Sequence, residues 1–146
     1  MQLQPIDQNG QYQDSEAGTI ALLSDGLFNE LALSGYSVTP DEIETALIAD
    51  FKFYAGWTST YTQKMGLATA LDRTQRIALS EWAILDPVIR AHCDLIQANR
   101  MEATGSLGPE RFGLTVSEAT TAYTEAKREA ESKTFMEEPF FFSGGG

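Results

Sequence analysis

Residues 73–103, RTQRIALSEWAILDPVIRAHCDLIQANRMEA, constrain the fold more than any other stretch of this chain. Ile77, Ser80 or Glu81, Ile84 or Leu85, Val88, Cys93, Leu95 or Ile96, and Met101 recur at helical spacing and draw a wide apolar stripe. A stripe of that width belongs to a helix at the centre of a core. Pro87 interrupts it. A proline inside a helix removes one hydrogen bond and crowds the carbonyl four residues back. Either the helix kinks there, or Asp86 caps a second helix with Pro87 at its first position. The sequence favours two helical segments meeting at Asp86.

The remaining elements read as partners for that helix. In TPDEIETALIADFKFYAGW, Thr39 is placed to cap, Pro40 suits the first helical position, and Glu42 stands where it reaches back to the Thr39 amide. Ile43, Ala46, Leu47, Asp50, Phe51 and Tyr54 follow at helical spacing, and Gly56 ends the run. EAGTIALLSDGLFNELALSG puts Ile20, Leu23, Leu27 and Leu31 near one helical face, with Gly26 weakening the middle and Gly35 suited to the end. WTSTYTQKMGLATALD, between Trp57 and Asp72, is dense in Thr and Ser and reads as an irregular connection. After the glycine-rich turn TGSLGPERFG, Thr115 and Glu118 form a second capping box. Ala119, Ala122, Tyr123, Ala126 and Ala130 then give a narrow stripe of small residues, opposite a wet face with Glu125, Arg128, Glu129 and Lys133. That helix is expected to end near Phe135. No run of alternating β-branched residues marks a strand.

The fold class is therefore all-α: a four to five helix bundle over residues 16–135, with a flexible N-terminal arm (1–15) and an extended C-terminal arm (136–146). The arm at the start, MQLQPIDQNGQYQDS, offers almost nothing to bury.

Charge narrows the partners. The formal net charge is -11, and residues 1–50 hold nine acids with no lysine or arginine, against six basic and four acidic residues in 51–100. An acidic front half repels phosphate, and no basic patch with interleaved aromatics marks a sequence-specific nucleic-acid interface. A protein partner with a basic surface fits it, and so does a plain solvated face. The single cysteine, Cys93, permits no internal disulfide. The start has neither a basic leader nor an apolar run, and no stretch has the length of a membrane span, so the expectation is cytoplasmic synthesis without a membrane partner.

No constellation points to catalysis, a metal or a cofactor, and the expectation is a protein that is not an enzyme. His92 and Cys93 are neighbours that point about 100° apart on a helix, and His92-Cys93-Asp94 lacks the three- or four-residue spacing of helical metal ligands. A packed thiol beside a half-buried ring is the expected role. The pairs Asp41/Glu44 and Glu125/Glu129 read as solvent-facing. GPERFG, Gly108 to Gly113, has glycines but lacks the Lys-Ser or Lys-Thr of a P-loop, and reads as a turn that tucks Phe112 onto the core.

The last feature is the aromatic tail FMEEPFFFSGGG. Pro139 stops a helix, and three adjacent phenylalanines on an extended chain point to both sides. The triplet either covers its own core or docks on a partner. The candidate partner-binding residues are Phe135, Met136, Pro139, Phe140, Phe141 and Phe142.

EWAILDPVIRAHCDLIQANRMEATGSLGPERFGLTVSEATTAYTEAKREAESKTF resembles the head-tail connector, or adaptor, proteins in the neck of tailed bacteriophages. The likeness lies in a Trp-bearing helix running through LDPVI to RMEA, a glycine-rich corner, and a polar helix ending in an apolar tail. The first 35 residues carry no such likeness. The resemblance implies a virion protein of the head-tail interface. It forms a homo-oligomeric ring, commonly a dodecamer, beneath the portal protein and links it to the next neck or tail component while DNA passes through. Residues 136–146 become the portal-binding arm. Two alternatives remain: a small acidic helical regulator or adaptor dimerising through the aromatic tail, and a small enzyme with an acidic metal site.

Overall fold

The computed structural model describes residues 15–67, 70–105 and 113–137. Among them are a two-stranded ribbon, β1 (Glu16–Thr19) and β2 (Arg76–Ala78), and five helices: α1 (Ile20–Leu33), α2 (Pro40–Ala55), α3 (Tyr61–Lys64), α4 (Leu79–Ala103) and α5 (Val116–Glu137). The fold is mostly α. The long helix α4 lies against α2 on one side and α5 on the other, and α1 packs on α2. His92 stacks on Tyr123, while Leu85 meets the turn holding Ala130 and Thr134, so α5 runs antiparallel to α4.

Local signals explain three of the helix ends. Thr39 and Glu42 exchange the expected reciprocal bonds, Glu42 amide to Thr39 Oγ1 at 3.2 Å and Thr39 amide to Glu42 Oε1 at 2.9 Å. Thr115 and Glu118 do the same ahead of α5. Helix α1 stops in a Schellman turn: the Tyr36 amide donates to Leu31 O and the Gly35 amide to Ala32 O, with Gly35 at φ 91°, where a side chain would be strained.

The ribbon is a departure from the sequence reading, which placed no strands and ran a helix through residues 76–78 and from residue 16. Antiparallel pairing sets Glu16 against Ala78 and Thr19 against Arg76, with an irregularity at Gly18, whose φ of 152° suits glycine. These strands are too short to show alternation, and their pairing joins segments far apart in the chain. The residues just before each strand also serve two helix starts, whose first amides have no partner within the helix. The Ile20 and Ala21 amides donate to Gln75 O and Arg73 O, both at 3.0 Å, and the Leu79 amide donates to Ser15 O at 2.6 Å. Ser15, assigned from sequence to the mobile arm, is fully buried.

The break expected at Asp86 does not occur: α4 is one helix with Pro87 inside it. Ile84, Leu85, Val88 and Ile89 flank the proline and are all buried on the core face, so packing on both sides holds the segments in line. Asp86 does not cap; it accepts from Arg90, one turn on, at 2.9 Å. The Thr-rich connection is irregular as expected, apart from the single turn α3, capped by Thr60 and Gln63. Helix α5 runs to Glu137, so Phe135 and Met136 lie on its last turn and not on an extended arm.

Ile20, Ile43, Leu47, Phe51, Ile77, Leu85, Val88 and Ile89 form the centre of the core. Phe112 and most of the GPERFG turn lie outside the described residues, as do residues 1–14 and the tail from 138 onward.

Candidate functional site

One acid breaks the apolar stripe of α2. Asp50 sits between Leu47 and Phe51 and is 1% exposed. A buried carboxylate is costly unless it is hydrogen-bonded. Here the Tyr123 hydroxyl of α5 donates to Asp50 Oδ1 at 2.6 Å, and His92 Nδ1 of α4 lies 3.1 Å from both oxygens. An ionised carboxylate only accepts, so Nδ1 carries the proton and Nε2 of a neutral ring is left as an acceptor. The His92 and Tyr123 rings stack at 4.5 Å with a 34° tilt. Lys127 Nζ sits 4.9 Å from the centroids of both Tyr123 and Phe53, a cation over two ring faces. Burial, then the bond to Asp50 and its charge, pushes the Tyr123 phenol well above its ordinary pKa. Tyr123 therefore stays protonated as a donor.

His92 also lines an open groove of about 480 Å³ between α2 and α4, with Asp41, Glu42, Thr45, Ala46, Ala49 and Ile96. The groove has a small-residue floor and an acidic rim. Its Glu42 is engaged by the Arg100 guanidinium and the Thr39 amide, which hold its carboxyl down at about 2. Chemically, the arrangement offers an imidazole on the groove wall, fixed by a buried carboxylate.

The residues of the His92-Cys93-Asp94 run go three separate ways. His92 joins Asp50. Cys93 points into the core, fully buried, and burial first, with nearby acids second, pushes its thiol up to about 12; it holds little thiolate at neutral pH. Asp94 accepts from the Tyr36 hydroxyl. The expected packed thiol beside a half-buried ring is what the structure contains. Glu125, Glu129 and Asp41 are exposed as expected, Asp41 on the groove rim, whereas Glu44 is half-buried and faces Arg73 at 3.1 Å. Among the described residues no group of three or more His, Cys, Asp or Glu side chains is placed to hold a metal, and no helix is long and apolar enough to cross a membrane.

Of the partner-binding candidates, Phe135 and Met136 are helical, and Pro139, Phe140, Phe141 and Phe142 lie outside the described residues. The Asp50, His92 and Tyr123 cluster was not anticipated as a unit. Its one sequence signal was an aspartate at a core position of an otherwise apolar stripe. Comparison with known proteins gives no matching family model, no matching curated protein and no matching solved structure.

Proposed function

We propose that this chain is a structural protein of the bacteriophage neck, a ring-forming head-tail adaptor that binds beneath the portal and links it to the next neck or tail component. One observation carries the reading. The segment with the resemblance folds as a unit: α4 runs unbroken from Trp82 through Leu85-Asp86-Pro87-Val88-Ile89 to Met101, and the polar helix α5 returns antiparallel along it toward the aromatic tail. A long helical hairpin with one charged face suits a subunit that presents sides to neighbours and an end to a larger partner.

On this reading head-to-tail contacts between helical faces close into a ring, commonly of twelve. The Phe140 to Phe142 segment, reached from the end of α5 through Phe135, Met136 and Pro139, docks in an apolar groove of the portal. A net charge of -11 leaves a DNA passage that does not hold the duplex. The work is assembly in the virion, without a cofactor.

The test is native mass by light scattering, for the protein alone and mixed with the portal protein encoded beside it. A ring-sized species in the mixture is the expected result. A monomer or dimer indifferent to the portal would overturn the reading and favour the helical regulator. Deleting residues 138–146 should leave helicity and cooperative melting intact while abolishing portal attachment. Loss of melting cooperativity would mean that the tail belongs to the protein's own core.

A further inference from the structure

The seam between α2 and α5 carries a row of rings. Lys127 Nζ sits over the faces of Tyr123 and Phe53, and Phe53 in turn meets Trp57 edge-on, with centroids 6.3 Å apart at 65°. The row runs toward the C-terminal end of α5, because Phe53, Tyr54 and Trp57 line one apolar pocket with Ala130, Glu131 and Thr134. At the outer end of the row Trp57 is 45% exposed, whereas Phe51 and Tyr54 behind it are buried.

Helix α5 delivers its own chain to that spot. From Thr134, which lines the pocket with Trp57, three more helical residues lead to Glu137, a rise of about 4.5 Å. Only Glu138 and Pro139 then stand before Phe140. Three residues of chain span at most about 11 Å and five at most about 18 Å, so Phe140, Phe141 and Phe142 all have Trp57 within reach. Leu114, also exposed, precedes the far end of α5, about 30 Å back by helical rise and outside that range.

We infer that the exposed face of Trp57 is the docking surface for Phe140–Phe142 of the same chain, which lengthen the row of rings by one more aromatic contact. The occupant is set by the tether. Two intervening residues keep the phenylalanines at an effective concentration on the order of millimolar beside α5, and so short a connection costs little closure entropy. An untethered apolar segment has neither advantage. The contact lies on the surface: the pocket behind Trp57 has room for about 10 Å³, far less than a phenyl ring, so the triplet covers the tryptophan and does not enter the core. A partner that takes the triplet, the portal on the neck reading, therefore uncovers Trp57.

Tryptophan emission of the full chain tests it. The chain has two tryptophans, and Trp82→Phe leaves Trp57 as the one indole. In that background F140A/F141A/F142A should shift the emission to the red and raise its quenching by acrylamide, while melting stays cooperative. Unchanged emission overturns the docking, and lost cooperativity would put the triplet in the core and overturn it too. In the converse background, Trp57→Phe, the same triplet change should leave the emission of Trp82 where it was. An equal shift there places the triplet elsewhere. Should Trp82→Phe fail to fold, the parent chain compared with Trp57→Phe reads the same difference. Dilution separates the chain's own triplet from a neighbour's: the protection of Trp57 should persist, and protection lost on dilution would assign the contact to a second copy. No portal is present in any of these measurements, so their outcome is independent of the neck reading.

Discussion

Helices α2 and α5 flank the same central helix and are held to it in different ways. Helix α2 brings volume: Ile43, Leu47 and Phe51 are 0–2% exposed and fill the space beneath α4. Helix α5 brings closeness. Its buried side chains include Ala119 and Ala130, and Tyr123, a large side chain packed against the core, is oriented by a hydrogen bond. Apolar volume is non-directional and tolerates sliding. Small residues with a single polar anchor specify one register. Asp50 joins the two modes, because it sits in the apolar face of α2 and takes its bonds from α4 and α5 together.

The contrast breaks hardest on the α2 side. Leu47→Ala should destabilise by about 2–5 kcal/mol, the range for a fully buried leucine whose cavity cannot collapse. Urea titration checks it, and a loss under 1 kcal/mol would mean that α2 is not the volume-filling partner.

On the α5 side the largest effect should come from Tyr123→Phe. That change removes only a hydroxyl yet leaves Asp50 buried with His92 alone, at a cost of about 1.5–3 kcal/mol for a bond to a charged acceptor. If the anchor sets register, the variant should also lose hydrogen-exchange protection in α5 while keeping it in α2. Uniform loss across both helices would show that the bond stabilises without specifying position.

These two helices were also legible to different degrees. The boundaries of α2 could be read from Thr39, Pro40, Glu42 and Gly56, because caps act within four residues and need nothing from the rest of the fold. The small-residue stripe of α5 was equally visible. What could not be read was Asp50 reaching two other helices, since the spacing marks a core position without saying what waits opposite. Pro87 was misleading for a related reason: its local cost is fixed, but the packing of Ile84, Leu85, Val88 and Ile89 that outweighs it is tertiary. The ribbon was missed because its two strands are short and far apart in the chain, and the acceptors beside it, Arg73 O and Gln75 O for the start of α1 and Ser15 O for the start of α4, come into place only through that pairing.

Closeness makes its own prediction. Ala130 lines a cavity of about 10 Å³ with Asp50, Tyr54, Leu85 and Val88, too small for three further carbons. Ala130→Leu should cost about 1–3 kcal/mol through overpacking, although it adds apolar surface. A stabilised variant would show that α5 stands off from α4 and that volume, not proximity, limits both interfaces.

The smallest effect isolates how α2 is capped from how it is packed. Glu42 is held at about 2, below its ordinary 4.5, first by the Arg100 guanidinium and then by the Thr39 amide. A carboxylate whose pKa is lower in the folded than in the unfolded chain adds stability at pH above the unfolded value. It gives that stability up as pH falls from about 4.5 toward about 2. Glu42→Gln keeps an acceptor for the Thr39 amide and removes the charge facing Arg100. A third of the side chain is exposed, so the loss at neutral pH should stay within the 0–1 kcal/mol of surface pairs, about the smallest change urea titration resolves. The difference between Glu42→Gln and the parent chain should shrink across that acidic window and vanish at its lower end, while Leu47→Ala keeps its full deficit at every pH. A Glu42→Gln deficit that persists at pH 2 would place the contribution of Glu42 in packing, and α2 would then rest on volume at its start as well as along its length.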